Sequence, residues 1–436
     1  MLNNINRLNN WSIAPNKYTD QDWYGIEINE ANNSPDVTRI AGTNKISYHA
    51  SLPVQANMKA CLLNDNGTVN YYLNPADWTK KVNGAASDLT GTDGQVMIEV
   101  PDFYRKVDNP SAGIYQHKIS PYPITGFTLI PKFYVGAYEA ALNRTTSKLA
   151  SIKNLTTTYR GGNNTSAWDA ANNTLLGKPV TSISLTNFRT YARNRNADTK
   201  WNVLPWRRSM ILYDLFIIEF ATLNSQKAVN LNLTVDGYKQ GGLGNGVTTV
   251  ISADWNTFST YNPIIPCGIS DNLNSGSGEV SYSVPGFPGS SGAVKVPRYR
   301  GIENIFGHIW EWNVGASVFH EAAGGVSKFY TCLIPANFAD GTATNYSYRA
   351  NIPVSGYIIA STHDDDGIMI PKTIGGASNT YFCDYNYSPG LINAWRAVLR
   401  GGGADAGAIA GFVYLLSNNT ASGTNTIVGA RLCYIP

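Results

Sequence analysis

Short apolar runs broken by turn residues set the pattern of the first quarter of the chain. From Ile46 to about Val107, runs such as Tyr48-His49-Ala50-Ser51-Leu52 and Val96-Met97-Ile98-Glu99-Val100 alternate with Asp65-Asn66-Gly67, Asn83-Gly84 and Asp93-Gly94. Such spacing predicts strands joined by tight turns, and hence a small all-β domain over residues 46–120. The Asn-rich residues 1–45 carry weaker patterning and read as an attachment arm. Helical spacing enters only in the middle. Ser184 or Thr186 can cap a helix that places Phe188, Tyr191 and Ala192 on one face. Pro205 suits the first turn of a second helix, whose apolar stripe is Trp206, Met210, Tyr213, Ile217 and Phe220. Asp214 and Glu219 fall off that stripe, which predicts a solvated edge rather than an acid/base pair. The last two hundred residues offer a few short strands among long connections, which suggests loops with a function of their own.

Composition sharpens this reading. The 436 residues are 43 % apolar and 11 % aromatic, enough to bury a substantial core, but only 14 % are charged. Asn, Thr, Ser, Gly and Tyr must supply the polar surface, a loop-rich balance. Thirty-three basic against 30 acidic residues give +3 with no basic run, so neither nucleic-acid binding nor a polybasic membrane anchor is indicated. The stretch from Met210 to Leu223 is interrupted by charges and is too short to span a bilayer, so no membrane insertion is expected. Met1-Leu2-Asn3-Asn4-Ile5-Asn6-Arg7 lacks the apolar core of a secretory signal. The five cysteines form no CxxC pair and read as buried free thiols. The glycine clusters Gly241 to Gly246 and Asn274 to Gly278 have no following Lys-Ser/Thr and read as surface loops. Asp364-Asp365-Asp366-Gly367 raises calcium, but it lacks the alternating ligand spacing of a calcium loop and reads as a solvated turn. No cofactor or metal is expected.

Two stretches carry a family resemblance. Gly301-Ile302-Glu303-Asn304-Ile305-Phe306-Gly307-His308-Ile309-Trp310-Glu311-Trp312 resembles the G-N-V-W-E-W signature of the formylglycine-generating-enzyme branch of the C-type-lectin fold. Ala394-Trp395-Arg396, Gly401-Gly402-Gly403, Ala410-Gly411-Phe412, Asn418-Asn419 and Gly429-Ala430-Arg431-Leu432 resemble the variable region of retroelement-diversified phage proteins. Phe133-Tyr134-Val135-Gly136-Ala137-Tyr138-Glu139 is similar to the opening strand of that fold. The segment from Asp65 to Pro101 resembles N-terminal portions of phage or prophage tail-fibre proteins. The resemblance implies an α+β chain: a small N-terminal all-β region, then a C-type-lectin-like domain over 121–436 with two helices, short strands, long loops and a variable region at about 381–436. It implies a virion tail-fibre receptor-binding protein, assembled in the bacterial host cytoplasm and homotrimeric. Its partners would be a bacterial surface receptor, protein or glycan, and other virion tail proteins through the N-terminal region.

The binding face the resemblance implies is Asn386, Tyr387, Ala404, Asp405, Ala406, Ile409, Leu416, Ser417, Thr420, Gly423, Thr424 and Thr426. These residues share no chemistry and alternate with apolar and glycine anchors, so they are expected to point outward. In the resembled family such positions derive from adenine-rich codons, frequently Asn codons, and the face residues from Ala404 to Thr426 fit the set reachable by adenine changes in them. Trp310, Trp312 and Trp395 are expected in the core, and Glu311 as a buried acceptor satisfied by backbone or Arg. No enzymatic activity is expected. The oxidases of the resembled branch need a cysteine pair, and here Cys383 is followed five residues on by Ser388. Their iron-dependent relatives need a His-x3-His-x-Glu motif, and His49, His117, His308, His320 and His363 are never four apart. A rival reading is a glycan-processing enzyme using two carboxylates among Asp364, Asp365, Asp366, Glu311 and Glu321; ordinary polar loops or a purely structural virion or cell-surface protein is another.

Overall fold

A computed structural model describes residues 18–227, 230–244, 246–288, 292–322, 326–339, 341–390 and 392–436. The first 17 residues of the expected arm, including Met1 to Arg7, and Asn245 of the first glycine cluster lie outside the described residues.

Period-2 patterning buries Tyr24, Ile26 and Ile28 along the strand Tyr24–Asn29. This strand lies second in a five-stranded sheet ordered Thr38–Ala41, Tyr24–Asn29, Ile114–Ser120, Phe103–Ser111, Thr128–Ile130. A seven-stranded sheet follows the order Trp201–Val203, Leu432–Tyr434, Phe133–Gly136, Gln95–Val100, Lys59–Leu63, Val69–Asn74, Asp77–Lys81. It pairs strands from either side of residue 120 and seats the C-terminal strand between Phe133–Gly136 and Trp201–Val203.

The largest sheet has nine strands. It runs Ser347–Ile352, Ser327–Thr331, Trp310–His320, Ala394–Gly401, Gly411–Leu416, Tyr385–Tyr387, Ser355–His363, Met369–Ile374, with Val428–Ala430 parallel to Trp310–Trp312.

Four α-helices occur among the described residues: α1 (Tyr48–Ser51), α2 (Leu185–Arg193), α3 (Trp206–Phe220) and α4 (Ser252–Ser259). Ser184 caps α2 by accepting from the Asn187 amide at 3.3 Å. Pro205 stands just before α3 as its N-cap, with extended backbone. Helix α3 is buried at every position except Arg207, and it joins the main apolar core to all three large sheets.

That full burial overturns the solvated edge expected for Asp214 and Glu219. Both are buried, and neighbouring segments meet them with donors: Arg105 and the His117 ring at Asp214, Arg300 at Glu219 with contacts of 2.8 and 2.9 Å. A helix enclosed on all sides has no wet edge, so its carboxylates need partners.

The α+β, C-type-lectin-like fold class is also overturned. Strands hold 37 % of the residues and helices 13 %, so the molecule is mostly β. Segments that read as irregular connections, including Gly278–Ser283, Ala293–Tyr299 and Ser355–His363, are paired strands. Their Ser, Thr and Gly content hides the apolar alternation, while main-chain pairing supplies the stability. The run at Tyr48 errs the other way. It forms the one-turn helix α1, held by a 2.9 Å hydrogen bond between the His49 ring and the Ile40 carbonyl, a tertiary contact that local spacing does not contain.

Candidate functional site

The C-terminal face is built on a buried ionic clamp. Glu311, on Trp310–His320, accepts from the Arg431 Nε at 2.9 Å and from the Arg400 guanidinium. Arg431 also donates to the carbonyls of Gly136, Glu303 and Asn304 at 2.8 to 3.1 Å, and Arg400 donates to the Ile305 carbonyl at 2.9 Å. One carboxylate therefore ties three segments together, and Glu311 serves as a structural acceptor. His308 is buried beside this clamp. Its Nδ1 donates to Glu139 at 2.6 Å, and its Nε2 accepts from the amides of Ile264 and Ile265 at 3.2 Å.

The chain leaves Ala394–Gly401 through Gly401 and Gly402, at φ +94° and +89°, a region side-chain-bearing residues rarely occupy. It then turns through a 3₁₀ helix at Gly407–Ile409, enters Gly411–Leu416, and loops back over 417–427. The loop is anchored from outside: the amides of Ser182, Leu185 and Ala397 donate to the carbonyls of Asn425, Ala421 and Asn419 at 2.9 to 3.0 Å.

The twelve expected face residues divide. Tyr387, Thr420 and Thr424 are exposed, and Asp405, Ala406, Ile409, Leu416, Gly423 and Thr426 are half-buried. Asn386, Ala404 and Ser417 are buried, so the outward orientation expected of them is corrected. The Asn386 amide donates to the Pro353 and Val354 carbonyls, the Ser417 amide donates to the Tyr387 carbonyl, and Ala404 packs in a cluster with Val250 and Trp255. Hydrogen bonding claims Asn386 and Ser417 and apolar packing claims Ala404, and neither is visible to alternation alone.

The structure brings Asp405 and Thr426 to opposite ends of α4, through Ser252 Oγ at 2.7 Å and the Thr260 carbonyl at 2.9 Å. It sets Tyr387 beside Leu416 on neighbouring strands. Thr420 and Thr424 ride on the loop beside the start of α2.

Aromatic residues absent from the expected face adjoin it. Phe319 pairs directly with Trp395 across two strands, their ring centroids 5.1 Å apart. Tyr330 stands 5.1 Å from Trp395 and 5.7 Å from Tyr348, which is 50 % exposed. Trp395 is thus half-buried in an aromatic row, and Trp310 is half-buried against Tyr414, whereas Trp312 alone of the three is fully buried. The row needed cross-strand register to be seen; its only signal in the sequence is an aromatic residue on each of four strands.

The other candidate groups have structural partners. All five cysteines are free and buried, and burial pushes the Cys383 thiol up to about 12. The Ser388 hydroxyl lies 3.1 Å from Ser327 Oγ and 3.3 Å from His320 Nδ1. In the 364–366 turn, Asp365 accepts from the Val107 amide at 2.7 Å and Asp366 faces Arg349 at 3.3 Å. Glu321 pairs with Lys328. Among the described residues, no group of three or more His, Cys, Asp or Glu side chains is placed to hold a metal, and no helix is long and apolar enough to cross a membrane.

No family model matches the sequence. No curated protein matches it either. Among solved structures, the chain is similar to the U1, I1 and M1 variants of Major Tropism Determinant, at 13, 12 and 11 % identity. The alignments cover 86, 86 and 96 % of this chain and 71, 71 and 72 % of those chains, with TM-scores of 0.26, 0.26 and 0.25. Scores this low carry no argument about fold or function.

Proposed function

We propose that the chain is a receptor-binding protein of the phage tail-fibre kind, which attaches to a bacterial surface through its C-terminal face and performs no catalysis. The observation that carries this reading is the union of two features on one rigid support. Exposed hydroxyl-bearing positions at Tyr387, Thr420 and Thr424 accompany the aromatic row ending at exposed Tyr348, on strands and loops anchored by the Glu311 clamp. Surface aromatics supply large contact area at small entropic cost, and loops on a fixed scaffold tolerate change without loss of fold.

The sequence resemblance at 394–432 to the variable region of retroelement-diversified phage proteins supports the same reading. Attachment to other virion tail proteins through the N-terminal region, and a homotrimer whose copies add avidity, extend this proposal. The carboxylates that a glycan-processing enzyme would need at Glu311 and Glu321 are engaged with Arg400, Arg431 and Lys328.

The test applies fluorescently labelled full chain to a panel of bacterial strains. Saturable binding to at least one strain is expected, lost or redirected in Tyr348→Ser and in Thr420→Asp/Thr424→Asp while melting stays unchanged. No binding to any strain, or binding indifferent to these substitutions, overturns the proposal.

A further inference from the structure

We propose that Asp384 and the cavity it lines form a binding site for a primary ammonium group carried on a small polar molecule. The cavity, of about 190 Å³, is bounded by Asn224, Gln226, Ser378, Cys383, Ala408 and Ala410 together with Asp384. That volume is the share of roughly six water molecules, enough for a ligand the size of ethanolamine or the tip of a lysine side chain.

Asp384 is 1 % exposed. Its Oδ2 accepts from Ser225 Oγ at 2.9 Å and from the Val413 amide at 2.8 Å. Its Oδ1 receives no hydrogen bond from the described residues, and it lies so close to Gly411 that a Cβ there would stand 1.9 Å away. Among the described residues, no lysine or arginine pairs with it. Asp214, Glu219 and Glu311 each hold an arginine, whereas Asp384, like the buried Glu303, is held by backbone and serine hydrogen bonds; of these two, Asp384 lines a cavity. Asp384 thus sits without a counterion on the wall of a cavity that could admit one.

Burial pushes the Asp384 carboxyl up to about 8, with the two hydrogen bonds opposing. Near neutral pH it retains its proton. An ammonium group entering the cavity converts the acid to a carboxylate paired with the cation, and the displaced proton leaves to solvent, so charge balances within the site.

The lining favours ammonium over a metal ion. The Gln226 Nε2 donates to the carbonyls of Gly407, at 3.1 Å, and Ala410, and no hydrogen bond from the described residues reaches its Oε1. Asp384 and Ser378, whose hydroxyl also bonds Tyr357, share this lining and add oxygen acceptors for the N–H donors of an ammonium group. The methyl groups of Ala408 and Ala410 and the Cys383 thiol, protonated because of its burial, suit a carbon skeleton and give a hard cation too few oxygens. The site does not depend on the receptor reading, since it needs no exposed residue of that face.

Isothermal titration of the full chain with ethanolamine tests this, with ethylene glycol and calcium chloride as controls, in buffers of different ionisation enthalpy. The expected result is saturable binding to ethanolamine alone, release of most of one proton per site near pH 7, and affinity that rises about tenfold per pH unit between pH 6 and 7. Asp384→Asn, which mimics the protonated acid, should keep the melting temperature and abolish the binding. If that variant does not fold, proton release by the unsubstituted chain decides alone. Absence of saturable heat, binding without proton release, calcium in place of the amine, or undiminished binding by folded Asp384→Asn overturns the proposal.

Discussion

At the scale of single residues, buried charges do most to fix the C-terminal segment in place, and they are also where the sequence is hardest to read. Removal of Glu311 leaves Arg400 and Arg431 enclosed without their shared carboxylate. Glu311→Ala is expected to cost about 3–5 kcal/mol in urea denaturation. An effect under 1 kcal/mol would show that the arginines find other partners. A second residue-scale consequence is pH dependence. The His117 ring bridges Asp214, at 2.8 Å, and the His363 Nδ1, at 2.9 Å, and burial lowers His363 to about 4. The unfolded chain therefore binds a proton at this position, from about pH 6.5 downward, that the folded chain refuses. Stability due to this group is present above pH 6.5 and drains away as pH falls toward 4, by at most about 3 kcal/mol. Asp384, raised by burial, works in the opposite direction over the same range, so the comparison must be with a His363→Gln variant. The difference in unfolding free energy between the two proteins should shrink on going from pH 7 to pH 4; a constant difference would contradict the linkage.

At the scale of elements, the three tryptophans separate into different roles. Trp312 is enclosed between the nine-stranded sheet and α2, and Trp312→Ala should cost about 3–5 kcal/mol. Trp395 lies in the half-exposed aromatic row, and Trp395→Ala should cost less than half as much while it disturbs surface binding. Equal losses of stability would return Trp395 to the core. Helices α2 and α3 were legible because a capping serine at 184, a proline at 205 and residues spaced by three and four all agree with the tertiary structure. Helix α4, with no apolar stripe to mark it, and α1, read as a strand, were not. Most strands after residue 270 are hidden for a different reason: Ser347–Ile352 pairs with Ser327–Thr331 and the start of Ser355–His363 with Tyr385–Tyr387, partners outside any local window, while the hairpin of Ser355–His363 with Met369–Ile374 is masked by its Ser, Thr and Gly content. The same limit explains the candidate face. Alternation around the glycines located the loops, but could not tell that Asn386, Ala404 and Ser417 turn inward while Phe319, Tyr330 and Tyr348 join Trp395 outside.

At the scale of the whole molecule, the C-terminal segment is woven into the chain rather than appended to it. Its last strand lies between Phe133–Gly136 and Trp201–Val203, and the main core draws residues from Tyr24 to Cys433. A support of this kind lets exposed positions vary, since surface substitutions usually change stability by no more than about 0.5 kcal/mol. The central claim is that this face, and no other, meets the bacterial surface. Hydrogen–deuterium exchange of the full chain, alone and bound to envelope vesicles from a strain it recognises, tests that claim most directly. Protection is predicted in the strands carrying Tyr330, Tyr348 and Trp395 and in the 417–427 loop, with the strands between residues 46 and 120 unchanged. Protection confined to residues 46–120, with the C-terminal loop as open as in the free protein, would contradict it.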